Sequence, residues 1–203
     1  MRASGYFILA VFFAALGIAA CAARVINAHL PKSPEPMYLN SGEKGHCSGS
    51  YLGKGYVLTA NHCLNDGALS WKAGDLVFTL NTVWTSPEND IAVLRNVDIT
   101  KTFPGLMGAR FTCDVPAIGE DFTAAGYPID MGLIHKRGYI GGKTKKIGPW
   151  DNGVPVILPL FFGDSGGPAY NSRGEIFAVM VGVIDTPVAV VTPLSPVCAV
   201  LPR

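Results

Sequence analysis

Three short stretches contain residues that could do chemistry together. Gly163-Asp164-Ser165-Gly166-Gly167-Pro168 places a serine where neither a helix nor a strand interior forms well. Glycine reaches backbone angles closed to other residues, and proline fixes one angle and removes a donor. Such a loop is shaped around one side chain, Ser165, and can aim two backbone N–H groups at one point, as an oxyanion hole requires. His62 follows the apolar run Tyr56-Val57-Leu58-Thr59-Ala60 and is flanked by Cys63. Asp90 stands just before Ile91-Ala92-Val93-Leu94, a position that carries it toward a core at a strand start. A serine hydroxyl is a weak nucleophile that needs a base within reach, and the base needs an orienting group. Histidine can take the proton and return it, and a buried aspartate can fix its tautomer. Read singly, the serine loop leaves some room for a Gly-rich turn between strands, His62 for a satisfied core residue and Asp90 for a turn residue capping a strand.

The surrounding strands must bring these three together. Gly45 to Leu52 and Tyr56 to Ala60, joined by Gly53-Lys54-Gly55, read as a β-hairpin. Leu76–Leu80 and Thr82–Trp84 read as two strands with a tight turn, and residues 98–114 as a connection. The segments 118–128, 134–140, 154–158, 175–184 and 188–191 supply further strands, and Ser195 to Leu201 a short C-terminal helix carrying Cys198. There is no heptad and no internal repeat.

Here the chain resembles the trypsin-like (chymotrypsin-fold) serine peptidases. Cys47-Ser48-Gly49 and Leu58-Thr59-Ala60-Asn61-His62-Cys63 match the segment bearing their catalytic histidine and its local disulfide. Asn61 departs from the usual alanine and is more like the HtrA branch. Asp90-Ile91-Ala92-Val93-Leu94 matches their aspartate segment, and Gly126-Tyr127-Pro128 and Arg137-Gly138-Tyr139-Ile140 are similar as well. The order His62, Asp90, Ser165 is theirs, and differs from that of subtilisins and α/β-hydrolases. The likeness runs from about Gly45 to Leu194, and the short gap from His62 to Asp90 fits compact bacterial or viral members.

The resemblance implies an all-β fold of two six-stranded antiparallel Greek-key β-barrels, about 45–105 and 115–203, with a short C-terminal helix. It implies a serine endopeptidase acting on polypeptides through an acyl-enzyme, without a cofactor and as a monomer. The oxyanion would be held by the N–H groups of Gly163 and Ser165. The base of the primary pocket would lie near Pro159 and Leu160, with a wall at Met180 to Val183; both are apolar, so a small or apolar side chain is expected before the cleaved bond, while Asp185 reaches the pocket in some alignments. A silent binding protein on the same fold is a second reading, but such relatives lose a triad member. An esterase is a third: its Gly-x-Ser-x-Gly fits around Ser165, yet its histidine must follow the nucleophile.

Composition agrees with one exported domain. The 203 residues are 49% hydrophobic, with 24 Gly and 15 Pro, as many short strands and turns require. Lys+Arg (16) and Asp+Glu (15) nearly balance, which argues against a nucleic-acid partner. His135-Lys136-Arg137 and Lys143 to Lys146 read as solvated loops. Residues 1–20 carry one charge, Arg2, and an apolar run ending in small residues, as a cleaved signal does. Their removal leaves 15 charges of each sign. Ile18-Ala19-Ala20-Cys21 resembles the lipobox of bacterial lipoproteins, which implies a lipid on Cys21, a membrane anchor and a place in the bacterial cell envelope; plain secretion is the alternative. With Cys21 lipidated, four cysteines remain, and export favours disulfides. Cys47 and Cys63 flank the expected hairpin and are expected to pair, leaving Cys113 for Cys198. No CxxC or paired-His spacing suggests a metal. Residues 21–44 read as a tether. Within it, Arg24-Val25-Ile26-Asn27 resembles the activation junction of trypsin-type zymogens, although chance resemblance in a linker is favoured. In those relatives the equivalent of Asp164 pairs with the freed amino terminus.

Overall fold

A computed structural model describes residues 35–42, 45–64 and 68–201. The expected signal, Cys21, the Arg24–Asn27 junction and the first part of the tether lie outside the described residues. Strands β1 (Met37–Asn40), β2 (His46–Gly53), β3 (Tyr56–Ala60), β4 (Leu69–Ala73), β5 (Leu76–Ser86) and β6 (Ile91–Arg95) form a closed antiparallel barrel in the order β1-β2-β3-β6-β5-β4. The β2–β3 hairpin turns at Lys54-Gly55, both with positive φ (53° and 83°), the backbone that suits the twist of a two-residue hairpin.

Two expectations need correction. The tether does not extend to residue 44: Met37–Asn40 is a barrel strand paired with β2 on one side and β4 on the other. Leu39 on it is fully buried. Four residues in a Pro-rich setting are too few for their alternation to be read from sequence. Leu76–Leu80 and Thr82–Trp84 are not two strands but one, β5, with a register shift between Thr82 and Trp84. Its first half pairs with β4 and its second with β6. Asn81-Thr82 therefore marks a barrel corner, where the strand bends and changes partner rather than reversing.

Beyond helix α1 (Asp98–Thr102) come β7 (Asp121–Gly126), β8 (Ile134–Ile140), β9 (Lys145–Ile147), β10 (Trp150–Ile157), β11 (Pro168–Tyr170), β12 (Ile176–Asp185), β13 (Val188–Pro193) and helix α2 (Ser195–Cys198). Their order is β13-β12-β11-β7-β8-β10-β9, with β10 also paired to β13. Six strands thus close a second circuit, and β9 hangs on β10 as a short hairpin.

One core, around Leu58, Leu69, Leu80, Ile91 and Leu94, fills the first barrel and continues into Val179, Val181 and Val190 of the second. The other, around Phe122, Ile140, Val156, Leu158 and Phe177, fills the second barrel. Burying each such side chain contributes about 1.5–3 kcal/mol. The seam between the barrels is therefore apolar and fixed, and the candidate residues gather on it. Cys113 is joined to Cys198, tying the inter-barrel connection to α2.

Candidate active site

His62 lies in a 3-10 turn, Asn61–Leu64, directly after β3. The next residue, Cys63, is buried and disulfide-bonded to Cys47 on β2, so the turn is pinned to the hairpin that launches it. Asp90 closes a second 3-10 turn, Pro87–Asn89, in a left-handed conformation (φ 55°), and β6 begins at once. The two turns are joined through the Asn61 N–H, which donates to Asp90 O at 3.1 Å.

The Asp90 side chain is only 11% exposed, and a buried carboxylate needs donors. It has three. The His62 backbone N–H donates to Oδ1 at 2.7 Å, His62 Nδ1 to Oδ2 at 2.7 Å, and Trp150 Nε1 to Oδ2 at 3.2 Å. Because a carboxylate accepts, Nδ1 carries a proton, so in the neutral imidazole Nε2 is the nitrogen with the lone pair. Cys47 Sγ, Cys63 Sγ and a His62 nitrogen lie within 4.8 Å of one another, but the sulfurs are spent on the disulfide and offer no thiolate to a metal.

The serine loop connects β10 to β11 and is gripped from the first barrel. On β2, the Ser48 hydroxyl donates to Gly163 O at 2.7 Å and the Ser48 N–H donates to Ser165 O at 2.7 Å. The hydroxyl also accepts from the Tyr127 N–H at 3.0 Å. Both loop carbonyls are thus occupied on one side. Among the described residues neither the Gly163 N–H nor the Ser165 N–H has an acceptor, whereas the N–H of Asp164 between them donates to Phe161 O at 3.1 Å. Two free donors, one of them on Ser165 itself and the other two residues before it, are what a developing oxyanion needs. Gly163 (φ 94°) could hold no side chain: a Cβ would lie 2.3 Å from His46 Nε2 and from Tyr127 O. At Gly166 (φ 83°) it would lie 2.2 Å from Ser48 O.

Asp164 is buried, and its carboxylate is engaged by its own loop and by β8. Its Oδ2 accepts from the Phe161 N–H at 2.8 Å and from Lys136 Nζ on β8; its Oδ1 has no partner among the described residues. Lys136 also lies 5.4 Å from the centre of the Phe161 ring. The expectation that His135-Lys136-Arg137 is a solvated loop is therefore wrong. All three lie on β8, where alternation exposes His135 and Arg137 while the Lys136 side chain is 7% exposed. Lys145 and Lys146 are solvated as expected, although they lie on strand β9.

A cavity of about 530 Å³ is lined by both His62 and Ser165. Leu160, Phe161, Phe162, Met180, Val181, Val183 and Ile129 make its other walls apolar. Of the residues expected at the primary pocket, Leu160 and 180–183 line this cavity, while Pro159 and Asp185 are absent from the lining. The Ser165 hydroxyl makes no hydrogen bond among the described residues, and catalytic contacts in unliganded sites often close only with substrate bound. Ser48, Trp150 and Lys136 were not found from sequence as parts of the site. Only Lys136 had a signal available, the period of two along β8.

The profile of the trypsin-like peptidase domain family matches residues 47–179. A protein of Brucella suis named "Probable periplasmic serine endoprotease DegP-like" is 27% identical over 136 residues, which is 64% of this chain and 26% of that protein. A protein of the same name from Pseudomonas fluorescens is 30% identical over 130 residues, 62% of this chain and 26% of that one. The chain thus spans about a quarter of the curated relatives it matches. Among solved structures, a serine endoprotease from Yersinia pestis superposes with a TM-score of 0.69 at 20% identity, over 83% of this chain and 61% of the other.

Proposed function

We propose that this chain, which belongs to the trypsin-like peptidase domain family, is a serine endopeptidase working through Ser165, His62 and Asp90. The observation that carries the reading is one cavity lined by His62 and Ser165, with His62 Nδ1 bonded at 2.7 Å to buried Asp90. Ser165 Oγ attacks the carbonyl carbon of the scissile bond while His62 Nε2 takes the hydroxyl proton. The carbonyl electron pair moves to oxygen and is met by the N–H groups of Gly163 and Ser165. Collapse breaks the C–N bond, and His62 returns the proton to the leaving amine. Water then attacks the acyl-enzyme by the same route, with His62 again base and then acid. Asp90 stays ionised, holds the tautomer and stabilises the imidazolium. No step calls for a cofactor.

The substrates are polypeptides with a small or apolar side chain before the cleaved bond, because among the described residues the cavity lining holds no Lys, Arg or Glu, and its one aspartate, Asp164, is paired with Lys136. A peptide-library profile dominated by Lys or Arg at that position contradicts this. Export to the bacterial cell envelope is supported by the apolar leader and by relatives bearing periplasmic names. A lipid on Cys21, with residues 21 to about 36 as the tether, would hold a monomeric enzyme at the membrane. A mature chain beginning at an unmodified residue other than Cys21 rejects the anchor and leaves secretion.

The decisive experiment is labelling by a fluorophosphonate probe. The wild-type protein is expected to react and Ser165→Ala not to. Equal labelling of both removes Ser165 as nucleophile, and no labelling of either removes the peptidase reading.

A further inference from the structure

The β9–β10 hairpin turns at Gly148-Pro149, with Gly148 at φ 54°, and places Trp150 first on β10. From the second barrel its indole reaches the first. Trp150 Nε1 donates at 3.2 Å to Asp90 Oδ2, the oxygen that also accepts from His62 Nδ1. Two residues on, Asn152 Nδ2 donates at 2.7 Å to Asn89 Oδ1. The hairpin thus grips two consecutive residues of the turn that delivers the carboxylate. Asp90 sits at φ 55°, a region uncommon for non-glycine residues though more open to aspartate than to most.

The ring is seated as firmly as its N–H. A Cβ at Gly182 would lie 2.6 Å from Trp150 Cη2 and Cζ2, so the indole packs flush on β12 and no side chain can stand there. The same ring, with Asn61, His62, Pro87 and Asp90, lines a hollow of about 420 Å³ beside the triad. Gly182 lines the cavity that contains Ser165.

We propose that Trp150 is a positioning residue, whose indole N–H fixes the Asp90 carboxylate against His62 Nδ1. An indole N–H only donates, so it cannot reverse and compete for the proton that His62 holds. With two donors converging on Oδ2 and the His62 N–H on Oδ1, one carboxylate rotamer satisfies all three. The kinetic consequence rests on the peptidase reading; the positioning itself does not.

Trp150→Phe deletes the N–H and keeps an aromatic ring, smaller than the indole whose Cζ2 and Cη2 lie on Gly182. A hydrogen bond to a charged group sets the scale: the rate of fluorophosphonate labelling is expected to fall about 10-fold, and in peptide hydrolysis kcat falls while KM stays within about twofold. On an Asp90→Asn background, where the oriented carboxylate is already lost, Trp150→Phe is expected to change labelling less than twofold. The low-field proton NMR signal of His62 Nδ1–H in the full chain gives a readout independent of turnover, and should broaden or vanish in Trp150→Phe. Unchanged rate and signal, or equal slowing on both backgrounds with the signal intact, overturns the proposal. A wild type that never labels but loses the His62 signal on Trp150→Phe overturns the peptidase reading and leaves Trp150 in its role. A wild type that labels normally while its signal ignores Trp150→Phe does the reverse. Should Trp150→Phe not fold, benzothienylalanine at position 150, which keeps the bicyclic ring and lacks the N–H, serves the same comparisons.

Discussion

Lys136→Met tests what holds the serine loop in shape. The Lys136 side chain is 7% exposed and the Asp164 side chain 1%, so neither charge has water to fall back on. Asp164 Oδ1 has no partner among the described residues, and without Lys136 the carboxylate would keep the Phe161 N–H alone. Removing one member of a buried pair costs about 3–5 kcal/mol, a large share of the 5–15 kcal/mol that stabilises a typical domain. Met fills much of the lysine volume, so packing loss is small and the cost is electrostatic. The loop from Phe161 to Ser165 turns on this carboxylate, so the Gly163 N–H should lose its aim. Losing one oxyanion donor typically costs about 10²–10³ in rate. Urea unfolding should show the stability loss, and fluorophosphonate labelling, measured where the variant is still folded, should slow by about 10². Asp164→Asn added to Lys136→Met removes the orphaned charge, so it should restore most of the stability. If Lys136→Met unfolds within about 1 kcal/mol of wild type and labels at the wild-type rate, the pair does not hold the loop and the reasoning is wrong.

Three further outcomes follow from the same contacts. Asp164 already has an internal cation in Lys136, so it has no call for a new amino terminus at Val25: Arg24→Gln should leave the labelling rate of the full chain unchanged, and a variant that is inert until cut elsewhere contradicts this. Ser48 is fully buried and its hydroxyl serves both Gly163 O and the Tyr127 N–H; Ser48→Ala should cost about 1–3 kcal/mol and lower kcat on the order of tenfold, with KM little changed in steady-state peptide hydrolysis. Burial pushes the Tyr170 phenol up from 10.0 to about 12. The folded state therefore holds that proton more tightly than the unfolded chain, and the contribution is complete below about pH 10 and lost as pH rises toward 12; the unfolding midpoint should fall over that window, and Tyr170→Phe should remove that part of the fall.

What could be read from the chain, and what could not, divides by how far each requirement reaches. Ser165, His62 and Asp90 are legible because each needs a particular backbone within a few residues of itself: glycines around the serine, a cysteine beside the histidine, a strand start after the aspartate. Their supporting contacts are not local. Lys136 meets Asp164 across 28 positions, Trp150 meets Asp90 across 60, and Ser48 meets Gly163 across 115. No spacing announces such partners, since each depends on which strands become neighbours. Lys136 was hidden further by its neighbours. Between His135 and Arg137 it looks like one of three surface charges, and only the alternation of β8 separates it. The barrel strands show the same division. The Lys54-Gly55 hairpin follows from its own turn residues, whereas β1 is a strand only because β2 and β4 leave an edge for it to close. In this chain the residues proposed to do the chemistry are specified locally and the residues that hold them are specified globally. That is why substitutions at Lys136 and Trp150, outside any motif, and at Ser48, whose motif does not announce its contact with Gly163, are the sharper test of the site.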